Sequence, residues 1–296
     1  MKRRQFIAGT ALSAIAFSAS GFIRFNGSHF EGVCETTTDI LGPFYRPNSP
    51  VRKNLVLPGD AGLALELSGT IKHQDCKTPY KNAKIELWHC DSEGVYDNDS
   101  DAYKYRATSY CDEQGQYSFN TILPVPYDTG SGDFRPAHFH IMVTVEGYQP
   151  LVTQLYFADD KHITKDMMAS VAKGRVLTIQ SLDNGVQKVI YDVSMAKKLL
   201  AETSVLTRLA GRYVQESDGQ RDVEFFAENG VLWIKREPYG ENLDYVGENT
   251  FSLPGIPNNM SLNFVFNPLA SGTVQLTRTF TNAKGENKVN TFNKNA

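Results

Sequence analysis

One stretch organises the rest of this chain: the sequence RPAHFHIMVTV, at residues 135–145. Its second half is apolar and β-branched, which predicts a buried strand. Side chains two positions apart on a strand point to the same face, so His138 and His140 project together while Phe139 projects to the opposite face. Two imidazoles on one side of a rigid strand can bind a metal ion, although a pair of hydrogen-bonded core histidines gives the same pattern.

The two residues at the start of this stretch favour the metal interpretation. Pro136 fixes the backbone as it enters the strand, and Arg135 places a permanent positive charge beside the predicted site. Such a charge would stabilise an anion that forms there. The alternative for Arg135 is a salt bridge that braces the strand.

The chain around this strand is predicted to be a β-sandwich. Strand patterns occur at residues 63–72, 84–90, 116–120 and 151–157, with turn-forming residues between them. Short strands at this spacing are typical of a sandwich rather than of βαβ units. Two further segments, residues 164–173 and 194–202, have helical patterns, and we expect the second to close the sandwich domain.

A second all-β unit is predicted to follow. No cysteine or histidine occurs after residue 203, and strand patterns recur at residues 209–213, 223–226, 231–235, 249–253, 262–266 and 274–280. They predict a small antiparallel, lipocalin-like β-barrel that serves substrate access, partner contact or stability. The predicted chain is thus mainly β, with a leader at residues 1–20, a β-sandwich at 21–200 and the barrel at 204–296.

The first twenty residues are predicted to be an export signal. Positive charges at Lys2, Arg3 and Arg4 precede a short apolar segment, and small residues follow up to Ser20. The apolar part is too short to span a bilayer comfortably. Paired arginines followed by an aromatic and an aliphatic residue are typical of the twin-arginine route. We therefore expect a periplasmic or extracellular protein with no membrane span in its mature form.

Charge and cysteine content narrow the function further. The formal net charge is -3, with both signs interspersed, so no nucleic-acid-binding or membrane-binding face is predicted. An even number of cysteines in an exported chain favours disulfides, with three pairings left open. A zinc site is the rival interpretation, but no C-x-x-C pair is present. The four cysteines are Cys34, Cys76, Cys90 and Cys111.

Two tyrosines lie in motifs near the histidines. Tyr96 ends the turn after the segment 84–90, and Tyr127 follows a Pro-Val-Pro sequence shortly before His138. A tyrosine taken alone is more often a packing residue than a ligand. The surrounding motifs are GPFY at 42–45, GTI at 69–71, NA at 82–83, GVY at 94–96, DEQGQYSF at 112–119, PVPY at 124–127, RPAHFH at 135–140 and TQLYF at 153–157. Their order resembles that of the intradiol ring-cleavage dioxygenases, the catechol and protocatechuate dioxygenase family.

The resemblance implies a ligand set for Fe(III), namely Tyr96, Tyr127, His138 and His140. Iron(III) is a hard cation that favours anionic oxygen, and two phenolates with two neutral imidazoles suit it. A phenol with a pKa of about 10 loses its proton at neutral pH only beside such a cation. The implied reaction is cleavage of a catechol-type ring by O2 to a cis,cis-muconate-type product.

The resemblance also implies roles around the iron for three residues. Tyr127 would leave the metal when the catechol binds, and its phenolate would take one substrate proton as a general base. Arg135 would stabilise anionic character that develops on the substrate. Gln154 would orient a later step of the reaction, and a hydrogen bond within the sheet is the alternative for that residue.

Two residues near Tyr96 carry further expectations. His89 lies in phase with Ile85 and Leu87, so we expect it to pack or to support a ligand rather than to bind the metal itself. A disulfide at Cys90 would fix the strand that leads to Tyr96.

Two other functions are compatible with the sequence. One is an exported non-catalytic module that binds an aromatic compound or a carbohydrate. The other is an iron(II) oxygenase with two histidines and one carboxylate, which would need H-x-D or H-x-E where the chain has His140. The sequence leaves open which catechol is the substrate and whether the protein is a homo-oligomer.

Overall fold

The computed structural model describes residues 23–25, 30–32, 35–59, 61–130, 132–172, 174–182, 186–217, 219, 221–235, 240–254, 256 and 260–295. The predicted signal at residues 1–20 and Cys34 lie outside the described residues. No helix among the described residues is long and apolar enough to cross a membrane.

Short strands make up the first two-thirds of the described chain. Apart from the 3-10 turn Ala169–Val171, the elements are β1 (Ile23–Phe25), β2 (Phe30–Gly32), β3 (Ala64–Lys72), β4 (Lys84–Trp88), β5 (Arg106–Tyr110), β6 (Gln116–Ile122), β7 (Tyr127–Asp128), β8 (Phe134–Arg135), β9 (His138–Thr144), β10 (Leu151–Phe157), β11 (Val176–Leu177), β12 (Gln180–Ser181), β13 (Gln187–Ile190) and β14 (Val193–Ser194).

Two sheets formed by these strands pack face to face. One has the order β11-β10-β9-β4-β5, and the other has the order β12-β13-β3-β14 with β6 also paired to β3. Alternate side chains of β3, β4, β6 and β9 meet between the sheets, and the shared core includes Leu67, Ile85, Phe119, Phe139 and Ile141, each at most 1% exposed. This is the predicted β-sandwich, with apolar residues at every second position.

The C-terminal part of the chain forms a second, barrel-like sheet. Its elements are α1 (Thr203–Leu209), β15 (Gly211–Gln215), β16 (Asp222–Glu228), β17 (Val231–Lys235), β18 (Gly240–Asn242), β19 (Asp244–Gly247), β20 (Thr250–Ser252), β21 (Ser261–Pro268), β22 (Val274–Thr281) and β23 (Asn287–Lys294). All its pairings are antiparallel, in the order β18-β17-β16-β15-β23-β22-β21-β20-β19. The two outermost strands, β18 and β19, are consecutive in the sequence with only Leu243 between them. The two edges of the sheet therefore lie close together, and the sheet is nearly closed.

Aromatic side chains fill the interior of this barrel. Tyr213, Phe225, Phe251, Phe264 and Phe266 are each at most 2% exposed, and their rings make edge-to-face contacts at centroid distances of 5.2 to 5.7 Å. Edge-to-face pairs at this spacing are favourable and leave little free volume. The mainly β fold with a small C-terminal barrel is confirmed, whereas the domain limits of residues 21–200 and 204–296 remain predictions.

The two helices expected before the barrel are wrong. Among the described residues 164–172 only the 3-10 turn Ala169–Val171 forms, because the Asp166 carboxylate accepts the backbone N–H groups of Met168 and Ala169 and closes a tight turn. Residues 194–202 are extended, since the backbone after β14 bonds to Lys72 and to the β9–β10 loop. Pairing with a sheet edge outweighs helical propensity there. The helix of this region is α1, which begins at Thr203.

A buried ion pair anchors the segment that precedes the first sheet. Asp39 and Arg175 are in contact, and each side chain is 1% exposed. Nη1 of Arg175 also donates to the carbonyl of Gln154 on β10, and the backbone N–H of Asp39 donates to the carbonyl of Val152 on that strand. The pair therefore holds β10 and the segment around Asp39 together behind the histidine strand.

We expect Asp39→Ala to lower the free energy of unfolding by about 3–5 kcal/mol, because it leaves the Arg175 guanidinium buried without a counter-ion. The matched control is Asp222→Ala, which breaks the exposed Arg212–Asp222 pair of the barrel. A pair of that kind contributes at most about 1 kcal/mol. Urea unfolding of the two variants measures the difference, and equal losses would contradict the role of the buried pair.

Candidate active site

Strand β9 carries the two histidines on the face away from the sandwich core. Phe139 packs in the core at 0% exposure, as predicted, while His138 and His140 lie on the other face at 1% exposure. β9 is paired on both edges, so Trp88 of β4 and Gln154 of β10 lie opposite His140. His140 is therefore held between two neighbouring strands, and His138 is held by its pairing with Tyr156 of β10.

Hydrogen bonding fixes the tautomer of His138. Its Nδ1 lies 2.6 Å from the carbonyl oxygen of Pro136, and a carbonyl can only accept, so Nδ1 carries the proton. In the neutral ring the lone pair is then on Nε2. Pro136 thus does more than start the strand, because its carbonyl turns the free nitrogen of His138 towards His140.

Three donor atoms converge at this point. The Nε2 atoms of His138 and His140 are 3.1 Å apart, and the Tyr96 hydroxyl lies 3.4 Å from the first and 3.2 Å from the second. Atoms that each bind one ion at about 2.0–2.1 Å have separations of about 2.9–3.4 Å. The triangle therefore has the dimensions of a metal-binding site.

Tyr127 is the fourth predicted ligand and lies on the open side of the triangle. Its ring is 5.6 Å from that of Tyr96 and 5.7 Å from that of His138. The structure thus brings together all four residues of the predicted ligand set.

Packing around the cluster fixes its rings. Trp88 stacks on His140 with centroids 4.9 Å apart and planes 9° from parallel, and Phe44 stacks on Tyr96 at 4.2 Å. Gly42 has φ = 75°, and a Cβ there would lie 3.1 Å from Cε1 of His140. Only glycine combines a positive φ with the absence of a Cβ that would crowd His140. This accounts for the glycine at the first position of the GPFY motif.

Burial perturbs the pKa values of the cluster. It lowers the pKa of His138 to about 3, with the charge of Arg135 acting in the same direction. Burial and the adjacent imidazole also hold the pKa of His140 well below its ordinary value. Burial raises the pKa of both tyrosines, while Arg135 opposes the rise at Tyr127. The imidazoles are thus neutral at pH 7, and the phenols need a cation to ionise.

The donor set fits an iron ion. Neutral imidazole nitrogens and phenol oxygens are ligands of iron, and anionic oxygen suits the ferric state. Nδ1 of His140 is buried and has no hydrogen-bond partner among the described residues, so no hydrogen bond at Nδ1 fixes the tautomer of this ring. No group of three His, Cys, Asp or Glu side chains in the described part of the chain could hold a metal, so the phenols are essential to any such site.

Arg135 lies beside the cluster at the centre of a polar network. Its Nη2 donates to Oε1 of Gln154 at 2.7 Å and to the hydroxyl of Tyr156 at 3.2 Å. Its Nε forms an ion pair with Oδ2 of Asp166 at 2.6 Å, without the alignment of a hydrogen bond. Gln154 also donates from Nε2 to the carbonyl of Ile40, so both ends of its amide are engaged. The ion pair with Asp166 fits the interpretation of Arg135 as a brace, and its role as a cation that acts on the substrate stays a prediction.

Sequence reasoning missed three residues of the site. Trp88 and Tyr156 could have been found from strand alternation, because each shares a face with the histidines across one strand pair. Asp166 gave no signal, since it lies in an irregular segment that reaches Arg135 only through the tertiary fold. His89, as expected, is no part of the cluster, for its Nε2 pairs with the Thr121 hydroxyl at 2.7 Å.

The expected disulfide at Cys90 is wrong. Cys90 and Cys111 are free and buried. The Cys90 thiol faces the carbonyl of Val125 at 3.5 Å, and burial raises its pKa to about 11. The Cys111 thiol lies 2.9 Å from the carbonyl of Tyr80. Cys76 is disulfide-bonded, and packing rather than a disulfide fixes the strand that leads to Tyr96.

A cavity of about 470 Å³ opens onto the cluster. Tyr96, Tyr127 and Arg135 line it. An aromatic molecule of one ring fits this volume and would reach the phenol oxygens and the guanidinium together.

Comparisons with known proteins agree with this geometry. The profile of a family described as dioxygenase matches residues 40–197. Catechol 1,2-dioxygenase of Candida albicans is 31% identical over 211 residues, which cover 62% of this chain and 69% of that protein. Chlorocatechol 1,2-dioxygenase of Rhodococcus opacus is 32% identical over 171 residues, or 50% of this chain and 66% of that protein. This chain thus spans about two thirds of the length of these relatives.

A solved structure extends the comparison to the fold. Catechol 1,2-dioxygenase from Acinetobacter sp. ADP1, inhibited by bound mercury, has a TM-score of 0.50 and 26% identity, over 55% of this chain and 63% of that chain. The family profile covers more than half of the present sequence and ends before β15. The chain therefore belongs to the intradiol ring-cleavage dioxygenases, a family of oxidoreductases.

The lowered pKa of His138 predicts how the metal-free protein responds to acid. Below its ordinary pKa of 6.5 this residue gains a proton in the unfolded chain but not in the fold, where its pKa is about 3. The free energy of unfolding should fall as the pH drops from 6.5 towards 3, by up to about 1.4 kcal/mol per pH unit for this group.

Denaturant titrations of chelator-treated protein across this pH range measure the slope. His138→Gln should flatten this slope relative to that of the wild-type protein. An unchanged slope in His138→Gln would show that His138 binds protons equally in the folded and unfolded states.

Proposed function

We propose that this protein is an Fe(III)-dependent intradiol dioxygenase that opens a catechol-type ring with O2 to a cis,cis-muconate-type product. One observation carries the proposal: two imidazole nitrogens and the Tyr96 oxygen lie within 3.1 to 3.4 Å of one another in a chain of this family. The names of the curated relatives, which act on catechol and chlorocatechol, support the substrate class.

Tyr96, Tyr127, His138 and His140 would hold the ferric ion. The ion bound there would supply the Lewis-acid and redox chemistry that makes a catechol ring reactive towards O2. The protein's part is to keep the imidazoles neutral, which burial does, and to supply two phenols that ionise beside the cation.

The two tyrosines would have different roles. Tyr96 is buried at 6% exposure, sits among the imidazole nitrogens and is stacked on Phe44, so it would stay in place. Tyr127 lies on a short strand at the cavity wall and is only half-buried. Its oxygen would accept a proton from a hydroxyl of the incoming catechol, so that one side chain serves as ligand and general base.

Arg135 and Gln154 would act as a pair. The guanidinium lines the cavity and would stabilise negative charge that develops on the ring oxygens. With both ends of its amide engaged, Gln154 would position Arg135 rather than contact the substrate. The catalytic role inferred for Gln154 from the family resemblance becomes, in this proposal, a positioning role.

We also propose that the protein is exported by the twin-arginine route to the periplasm or beyond. The Arg3-Arg4 pair supports this. So does the disulfide at Cys76, because disulfides persist mainly in oxidising compartments.

Iron loading tests the ligand assignment. The iron-loaded protein should be red-brown, from a tyrosinate-to-iron(III) absorption band that shifts when catechol is added without oxygen, and it should consume O2 with catechol. Tyr127→Phe should lose most of this band and at least about 100-fold in kcat/KM, since one anionic ligand and the base are removed together. Visible spectra, metal analysis and oxygen uptake are the measurements.

Tyr110→Phe is the matched control, because this tyrosine lies on β5 and is 45% exposed. It should keep both colour and turnover. A colourless protein after iron loading, or full turnover by Tyr127→Phe, would contradict the proposal.

The ion pair with Asp166 predicts a separate kinetic effect. Asp166→Asn should let Arg135 leave its position and lower kcat by about 10- to 100-fold, a usual range for a misplaced catalytic charge. The iron content and the tyrosinate band should persist, because Asp166 contacts no proposed ligand. Loss of iron together with activity would show that Asp166 supports the cluster as a whole instead.

A further inference from the structure

The cavity over the cluster has two chemically different ends. At its inner end are Tyr96, Tyr127 and Arg135, beside the imidazole nitrogens. At its outer end are exposed residues, among them Pro43, Val95 and Asp128. A catechol held by its two oxygens at the inner end must direct the opposite edge of its ring towards the outer end, since a benzene ring is rigid.

The positive charge of the cavity belongs to the inner end. Arg135 is the cationic residue among those that line it, and its Nη2 donates to Gln154 and Tyr156, which lie opposite His140 and His138 on the neighbouring strand. Asp166, whose side chain is 5% exposed, pairs with this guanidinium. Little positive potential is therefore left for a group on the outer edge of the substrate.

The outer end is acidic and apolar. The carboxylate of Asp128 follows Tyr127 directly, and its Oδ1 accepts the backbone N–H groups of Gly130 and Gly132, which fix it in its loop. Val95 is 58% exposed at the same rim, a large apolar surface for a substrate to cover. A negative substituent would meet Asp128, whereas an apolar one would bury the side chain of Val95.

We propose that this cavity selects catechols whose outward ring edge is neutral or apolar and discriminates against those that carry a carboxylate there, with Asp128 and Val95 as the selecting residues. The inference rests on the proposed function, because it takes the ring oxygens to bind at the donor cluster. It goes further by fixing the class of substituent.

Three compounds test the proposal on the iron-loaded full chain: catechol, 4-methylcatechol and 3,4-dihydroxybenzoate. The methyl group should lower KM relative to catechol by about 2- to 4-fold, as expected for one partly buried methyl. The carboxylate should lower kcat/KM by at least about 10-fold. In Asp128→Asn the ratio of kcat/KM for the carboxylate to that for catechol should rise by about 3- to 10-fold, and in Val95→Lys it should rise further.

The matched control is Glu113→Gln. This variant also removes one surface carboxylate, but from the turn before β6, at the end of that strand remote from Tyr127. Its selectivity ratio should equal that of the wild type. If Asp128→Asn and Glu113→Gln leave the same ratio, or if wild-type protein turns over the carboxylate as well as catechol, the proposal is overturned.

The sign of the salt effect gives an independent test. Repulsion between Asp128 and the carboxylate is screened by salt, so KM for 3,4-dihydroxybenzoate should fall between 20 and 500 mM NaCl while KM for catechol changes little. If attraction to Arg135 dominated, the same KM would rise with salt, and the proposal would fail.

Anaerobic binding separates this inference from the proposed function. Dissociation constants of the three compounds, measured by calorimetry without O2, should show the same order of preference even if no turnover occurs. Absence of turnover with the predicted binding order would count against the dioxygenase reaction alone. Equal affinity for catechol and the carboxylate would count against the selectivity alone.

Discussion

Strand β9 is paired on both edges, and its register with β4 and β10 fixes which residues flank the two histidines. The pairing places Trp88 and Gln154 on either side of His140 and places Tyr156 beside His138. A slip of one residue on β9 would turn Phe139 towards Tyr96 and bury the histidines in the sandwich core. Burial of Phe139 and Ile141 in the sandwich core thus fixes the register of β9, and that register places both imidazoles on the opposite face.

This arrangement concentrates ionisable groups in a place where none of them is well solvated. Burial keeps the imidazoles neutral and the phenols protonated until a cation neutralises the phenolates. Arg135 adds a positive charge at the edge of the cluster, and Asp166 balances it from behind. A cation bound here would therefore have to ionise the phenols, and the side of the cluster at Tyr127 faces the cavity.

Local patterns in the sequence predicted much of the sandwich and most residues of the candidate site. Alternation gave β10 with its observed limits, residues 151–157, and set the two histidines apart from Phe139. The four proposed ligands came from motif order, and the fold brings them together. The predictions that were wrong or missing depended on contacts between residues distant in sequence. The helix predicted at residues 194–202 is extended because a sheet edge was available. The contact between Asp166 and Arg135 was not predicted because it arises only from tertiary packing. The disulfide at Cys90 failed for a similar reason, because cysteine number carries no information about which thiols the fold brings together.

The barrel has a consequence for the order in which the chain is made. Its first strand, β15, pairs with its last, β23, so that Tyr213 lies opposite Lys294. Strands that meet from such distant positions cannot pair until the last one has been synthesised. The sandwich, by contrast, has its final strand by Ser194, about ninety residues before β23 begins at Asn287. The candidate site can therefore be complete while the barrel strands are still being synthesised, whereas closure of the barrel must wait for β23.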